Sequence, residues 1–340
     1  MKPAILVTGG LGFIGWEVCL AARERGWAAV AVDNLTGNVV SPDEAMDTGV
    51  PLLPIDLNPG TPAQLVVDAA QETLGPILGR KGHLTHVYHC AAPVGAAGVI
   101  GRNCVAEIVG ATWAAIRIAY NLEVPILNVS SSEVYGTDGQ NAETDPCVTP
   151  GRFSDRLTYQ VGKLAAEHMV AAERRRHGLA SITIRPYNVT GHRQSAAKGF
   201  VLPRFLEAAL AGEPLTVFGD GRQRRAFTPV TDLADFLLDL TDHPSAWDSR
   251  VLNVGAEHNE TSVVDLAELV RRMVADWTGE PWAPIVHTDG REVFGPAYEE
   301  ASAGTKLPDS AAARALGWLP RRTLGDVIGD ALAELAPEVA

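Results

Sequence analysis

Tyr159-Gln160-Val161-Gly162-Lys163 sets a phenol and an ammonium four residues apart. On a helix these positions share one face. A cation beside a phenol favours the phenolate and draws its pKa toward neutrality. A tyrosine so placed can trade a proton with a substrate hydroxyl while hydride moves to or from a nicotinamide. Spacing of this kind is common on solvated helices, so it needs support from elsewhere in the chain. Val129-Ser130-Ser131-Ser132-Glu133-Val134-Tyr135-Gly136 supplies it, reading as the end of a buried strand followed by a turn. Ligands of doubly wound sheets bind off the strands' carboxyl ends, so a serine here can hydrogen-bond the same hydroxyl.

Such chemistry needs a hydride carrier, and the first fifteen residues form a site for one. Ile5-Leu6-Val7-Thr8-Gly9-Gly10-Leu11-Gly12-Phe13-Ile14-Gly15 reads as strand, glycine turn and helix start. Gly9 permits the tight turn, Gly12 lets a pyrophosphate approach the backbone, and Gly15 lets helix and strand pack closely. The free amides of the helix start, at Phe13 and Ile14, face the phosphates together with the positive end of the helix dipole. Asp33 closes the second strand eighteen residues past Gly15. There a carboxylate accepts hydrogen bonds from the adenosine ribose and repels a 2′-phosphate, so NAD is expected over NADP. Asp56-Leu57 ends the third strand at the level of the adenine; an ordinary turn aspartate is the competing reading.

The elements that position these residues follow from hydrophobic patterning. Ala4–Thr8, Ala28–Asp33, Leu52–Asp56, Leu84–Cys90 and Val124–Ser130 read as buried strands, separated by helical stretches such as Ile14–Arg25. That alternation predicts an α/β fold of Rossmann type, a doubly wound parallel sheet with helices on both faces. A helix over Tyr159–Arg176 then feeds a strand at Ser181–Arg185. Past Gly191 the elements become shorter and mixed: Val201–Leu210, Leu215–Phe218, Asp232–Leu240, Val251–Val254, Val263–Trp277 and Ser310–Leu316. Ser262 with Asp265 has the spacing of a capping box. The expected organisation is a dinucleotide-binding domain over 1–190 and a smaller mixed α/β substrate-binding lobe over 191–340. The boundary is soft, because such chains can cross back to the sheet.

Composition narrows the partners. The chain has 340 residues, 46% of them hydrophobic, and a formal net charge of −13. An acidic chain is a poor nucleic-acid binder and is repelled by anionic membrane surfaces. Any phosphate must therefore be held by a few placed basic groups and backbone amides. Cys19, Cys90, Cys104 and Cys147 form no CxxC pair and read as reduced thiols, with no metal site expected. No apolar run reaches about 18 residues and no signal-like segment precedes the first strand, so a soluble, cytoplasmic protein is expected.

Taken together, these motifs resemble the extended short-chain dehydrogenase/reductase family, in its nucleotide-sugar epimerase, dehydratase and decarboxylase branch. The resemblance runs from Met1 to about Pro320 and includes Gly219-Asp220-Gly221-Arg222-Gln223-Arg224-Arg225. It implies an NAD-dependent enzyme that oxidises a nucleotide sugar transiently at C4, and a homodimer. By resemblance Ser131 orients the substrate O4, Tyr159 is the acid/base, and Lys163 is its partner and also holds the nicotinamide ribose. Ala91 and Ala92 line the NAD groove. Ser132 stands among the substrate contacts. Asn188 approaches the diphosphate, Phe218 stacks on the nucleotide base, and Arg225 clamps the diphosphate with a guanidinium suited to bidentate contact.

Glu133 separates the members of this branch. The family's 4-epimerases usually carry a small or neutral residue there; its dehydratases and UDP-glucuronate decarboxylases usually carry Glu. Once O4 is a ketone, the C5 proton becomes acidic, and a carboxylate can take it or assist binding and ring distortion. A solvated turn carboxylate is the plain alternative. Gly212–Phe218 and Lys306-Leu307-Pro308-Asp309 resemble the decarboxylases, although Lys306 stands where those enzymes have an arginine and keeps the charge without the fork. Glu107 replaces a usual Asn. Ser132 precedes Glu133 where dTDP-glucose dehydratases carry Asp. Decarboxylation or dehydration is thus favoured and 4-epimerisation is the alternative. A non-catalytic NAD-binding sensor is a reading of another class; such proteins tend to lose the Tyr or the Lys, and this chain keeps both.

Overall fold

The computed structural model describes residues 2–79, 83–136, 139–149, 151, 154–294 and 304–335. Its centre is a seven-stranded, wholly parallel sheet. The strands are β1 (Ala4–Thr8), β2 (Ala28–Asp33), β3 (Leu52–Pro54), β4 (His86–His89), β5 (Ile126–Val129), β7 (Ser181–Pro186) and β12 (Asp248–Val254), in the order β12-β7-β5-β4-β1-β2-β3. The sequence order reverses between β1 and β4, and the carboxyl ends of both open on the same crevice.

Alternation along β1 explains why its run is apolar throughout. Ile5 and Val7 enter one hydrophobic cluster with Trp16 and Leu233. Ala4 and Leu6 enter another with Val66 and Ile118. The first face is covered by α1 (Phe13–Glu24) and α8 (Val230–Asp239). The second is covered by α3 (Ala63–Leu78), α5 (Cys104–Leu122) and α6 (Asp155–His177). Short helices α2 (Pro42–Asp47) and α4 (Ala96–Val99) lie in the connections after β2 and β4. Helix α6 begins earlier than the apolar pattern suggests. Ser154 caps it by accepting from the Leu157 amide at 3.4 Å, so Tyr159 lies in its second turn.

The second lobe has its own core, built by α7 (Val201–Leu210), α9 (Val263–Thr278) and the helix Leu324–Leu335. Ser262 caps α9 by accepting from Asp265 N at 3.1 Å, while its own hydroxyl donates to the Asp265 carboxylate at 2.6 Å. The return bond of a capping box, from the Asp265 side chain to the cap amide, is replaced by this side-chain pair. Strands β6 (Gly139–Asn141), β10 (Arg224–Ala226), β13 (Glu260–Ser262) and β15 (Lys306–Pro308) form a small sheet in the order β13-β10-β15-β6. Two further pairs join β8 (Val189–Thr190) to β11 (Thr228–Pro229) and β9 (Leu215–Phe218) to β14 (Ile285–Thr288).

The chain does not divide cleanly at 190. Helix α8 packs on α1, and β12 adds to the edge of the main sheet beside β7. In exchange, β6 from the first half pairs with β15. Within 191–340, then, α8, β12 and the segment carrying Ala313 and Trp318 cross back to the main sheet, with β12 pairing the open backbone edge of β7. Among the described residues no helix is long and apolar enough to cross a membrane.

Candidate active site

One cavity of about 860 Å³ runs along the carboxyl ends of β1, β2, β4, β5 and β7, with the second lobe as its far wall. Gly9, Gly12, Phe13, Ile14 and Gly15 line it where the glycine turn enters α1. A Cβ on Gly15 would lie 2.1 Å from the Gly9 carbonyl oxygen, so only glycine allows the turn to close on the helix. A Cβ on Gly12 would meet only that same oxygen, at 3.1 Å, and otherwise face the groove. No side chain caps α1 at Gly12. A bare helix start above an open glycine is the cradle that a pyrophosphate requires, and the site fits NAD on that ground.

Asp33, Asp56 and Leu57 line the same end. Asp33 is buried, and its oxygens accept from Leu11 N at 3.0 Å and Leu35 N at 2.8 Å. It thus fixes the glycine turn as well as facing the groove. Asp56 accepts from the Asn34 amide at 2.7 Å. Ala91 and Ala92, just past β4, form the middle of the wall.

Ser131, Ser132, Glu133, Tyr159 and Lys163 gather at the other end. Tyr159 departs from the sequence expectation. Burial pushes its phenol up to about 12, against a hydrogen bond with Ser131 and with Glu133 and Cys104 adding to the rise. Lys163 Nζ donates to the Val129 carbonyl at 2.7 Å. Burial in turn brings the Lys163 ammonium down to about 8, with Cys90 and Glu167 opposing that fall. Burial therefore favours the protonated phenol at this position.

Glu133 is the most constrained group at this end. Burial alone would raise its carboxyl, but Lys306 and Arg156, with Arg225 farther off, bring it down to about 2. Lys306 Nζ lies 2.9 Å from both its oxygens, and Arg156 reaches one at 3.4 Å. Lys306 itself is buried and does not line the cavity. Lys306, expected among the substrate contacts, is hydrogen-bonded here to both oxygens of Glu133. The cause is register, since β15 lies between β6 and β10 in the small sheet, with Lys306 paired to Arg225.

From the second lobe, Asn188, Phe218 and Arg225 face the groove. Asn188 has a left-handed φ of 38° and donates to the Ala226 carbonyl at 3.3 Å. Arg225 donates to the Arg224 carbonyl at 2.8 Å and also to Gly304 O.

Residues 5–255 match the model of the NAD dependent epimerase/dehydratase family. The chain belongs to that family. UDP-D-apiose/UDP-D-xylose synthase 1 of Arabidopsis thaliana is 28% identical over 202 residues, 56% of this chain and 51% of that protein. The match thus spans about half of that relative's length. UDP-N-acetyl-alpha-D-glucosaminuronate decarboxylase of Bacillus cytotoxicus is 26% identical over 304 residues, 88% of each chain. Among solved structures, Pal from Bacillus thuringiensis superposes with a TM-score of 0.79 at 23% identity, covering 98% of this chain and 99% of that one. The family is NAD-dependent, and the Rossmann sheet described above is its fold.

Three side chains of this family member escaped the sequence reading. Arg156 contacts Glu133 from 23 positions away. Arg204 places its guanidinium 4.7 Å over the Phe218 ring, on one face of the residue expected to stack on a base. Lys198 reaches across the groove from the second lobe and donates to the Gly37 carbonyl at 2.6 Å. Position alone carries no signal for these. Glu107, noted as a departure from the usual Asn, lines the cavity and accepts from Arg102 Nε at 3.1 Å.

Proposed function

We propose that the enzyme binds a nucleoside-diphosphate hexuronate, oxidises it at C4, and releases C6 as carbon dioxide before C4 is reduced again. The observation that carries this reading is the state of Glu133. A carboxyl held near 2 by Lys306 and Arg156 is a poor base for taking a C5 proton, as a dehydratase requires. Decarboxylation makes no such demand. With a ketone at C4, the C6 carboxylate is β to it, so the C5–C6 bond breaks heterolytically and its electron pair moves to the C4 oxygen. As hydride leaves C4 the O4 proton passes to Tyr159 acting as base; the phenol so formed and Ser131 are then placed to donate to the enolate oxygen, and C5 takes up a proton before C4 is reduced. The excess of cations at this end, Arg156 and Arg225 on the cavity wall with Lys306 behind, suits a sugar that brings its own carboxylate. NAD, when bound, supplies the hydride acceptor and donor. The residues Asp33, Gly12 and Lys163 are those that would hold its ribose and phosphate groups.

Incubation with UDP-glucuronate, followed by mass analysis of the sugar, tests the reading. Loss of carbon dioxide supports it. Loss of water from dTDP-glucose supports dehydration instead. An unchanged mass with inverted C4 supports 4-epimerisation, which the complete engagement of Glu133 by Lys306 favours as the second reading.

We further propose a homodimer. Trp113 and Tyr120, seven residues apart on α5, and Val161 on α6 are large apolar side chains left exposed on these two helices. Sedimentation of wild type and Trp113→Glu compares the two states; a dimer that survives the substitution unchanged overturns this placement.

A further inference from the structure

A chain of buried polar groups behind the catalytic wall joins the two ends of the reaction. Glu167 lies one helical turn past Lys163 on α6. Arg185, near the end of β7, donates to its two oxygens at 2.9 and 2.6 Å, and the Ser130 hydroxyl donates to it at 2.5 Å. Ser130 is the residue before Ser131. Arg185 and Glu167 are 5% and 7% exposed. The Arg185 guanidinium lies 4.7 Å from the centre of the Tyr135 ring. Tyr135 Oη donates to Asn253 Oδ1 at 2.8 Å, and Asn253 Nδ2 donates to the Asn141 carbonyl at 2.9 Å. Asn141 ends β6, which is hydrogen-bonded to β15 and so to the strand that carries Lys306.

The energetics of this chain are telling. A buried ion pair is desolvated on both sides and adds little to stability over an apolar pair of similar volume. Its geometry, by contrast, is narrow: a bidentate fork admits one orientation. The linked residues come from α6, the turn after β5, β6, β7 and β12, elements distant from one another in the chain. We propose that Glu167, Arg185, Tyr135 and Asn253 are positioning residues that set the distance between the C4-oxidising group, Ser131 and Lys163, and Glu133 with the Lys306 that holds it from behind. Glu167 fixes the first; Tyr135 and Asn253 carry the register to the second. None of the four is required to touch substrate. The proposal rests on the two-stage reading above for its kinetic test, and has a structural test that does not.

The kinetic test uses Tyr135→Phe, which removes one hydroxyl and keeps the ring, and Glu167→Gln, which removes the charge. With UDP-glucuronate, Tyr135→Phe is expected to retain reduction of bound NAD, read at 340 nm, and to slow carbon dioxide release about tenfold, the scale of one buried hydrogen bond. Glu167→Gln is expected to slow NAD reduction itself, by about 10–100-fold, with KM within about threefold. Should Glu167→Gln fail to fold, Tyr135→Phe decides alone. A purely structural role would lower Tm and leave kcat of the folded protein at the wild-type value; that result overturns the proposal. If wild type turns over none of UDP-glucuronate, UDP-glucose and dTDP-glucose, the functional reading has failed, and a crystal structure of Tyr135→Phe decides the positioning. Displacement of Lys306 from its 2.9 Å contacts with Glu133 supports it. Unchanged contacts overturn it.

Discussion

The two ends of the cavity are made by opposite means. At the cofactor end the wall is backbone: glycines whose missing side chains leave room, a bare helix start, and one aspartate that also ties the turn. At the other end, where we propose that the sugar binds, the wall is charge: Glu133, Arg156 and Arg225, with Lys306 behind them, brought from four separate parts of the chain. The first end is defined by what is absent, so it resists any added atom. The second is defined by one carboxylate held among an excess of cations, so it tolerates a change of shape better than a change of charge.

Substitutions can break this contrast. The largest effect is expected from Tyr159→Phe, which removes the proton donor and should cut turnover by about 10²–10⁴-fold while binding of NAD and substrate stays near normal. Stopped-flow absorbance with equilibrium binding checks it. Turnover at the wild-type rate would place the chemistry elsewhere. Glu133→Gln comes next: it leaves Lys306 buried without its counter-charge and should slow the overall reaction about 100-fold. Because Ser131, Tyr159 and Lys163 remain, NADH absorbance should build up on mixing with the true substrate. Normal turnover without that build-up would make Glu133 a bystander.

Arg225→Ala and Gly15→Ala test the two ends directly. The first should raise KM for the nucleotide sugar about 10–100-fold and spare NAD affinity, as expected for loss of a charged hydrogen-bond donor. The second, which forces a Cβ against Gly9 O, should weaken NAD by about 10–100-fold and spare substrate specificity. Exchanged phenotypes would mean that the ends are wrongly assigned.

The smallest effect is a pH dependence. Lys163 is brought down to about 8 by burial, while Cys90 and Glu167, the groups facing it from β4 and α6, hold it up. Its ammonium is present below that value and lost above it, so NAD reduction should fall on the alkaline side with an apparent pKa near 8. Stability should move the other way. The folded state releases this proton more readily than the unfolded chain, whose lysine titrates near 10.5. The cost of burying the charge is therefore present below about 8 and relieved as pH rises toward 10.5. A Tm that drops together with the rate would point to general unfolding instead.

The same contrast explains what the sequence could reveal. The glycine turn, Asp33, Ser131, Tyr159 and Lys163 were legible because each lies within one strand–turn–helix unit, where spacing alone fixes geometry. The place of Lys306 was not, because it depends on β15 pairing with β10 and β6. Arg156 meeting Glu133, and Glu167 meeting Arg185, likewise depend on how distant elements are stacked. The rise of the Tyr159 phenol was not legible either: spacing brought Lys163 to the same helix face, but burial, which spacing does not report, acts the other way.

The return of β12 to the sheet also shapes how the chain is made. Strand β7 leaves the ribosome with one backbone edge unpaired, and its partner follows about sixty residues later. At common synthesis rates of about 5–20 residues per second, that edge waits roughly 3–12 seconds. During this interval the nascent first lobe presents an unpaired parallel strand, the kind of surface that invites pairing with another chain. Yield on expression should therefore depend on translation speed between Pro186 and Asp248, and slow codons there should cost soluble protein without altering a single contact in the finished molecule.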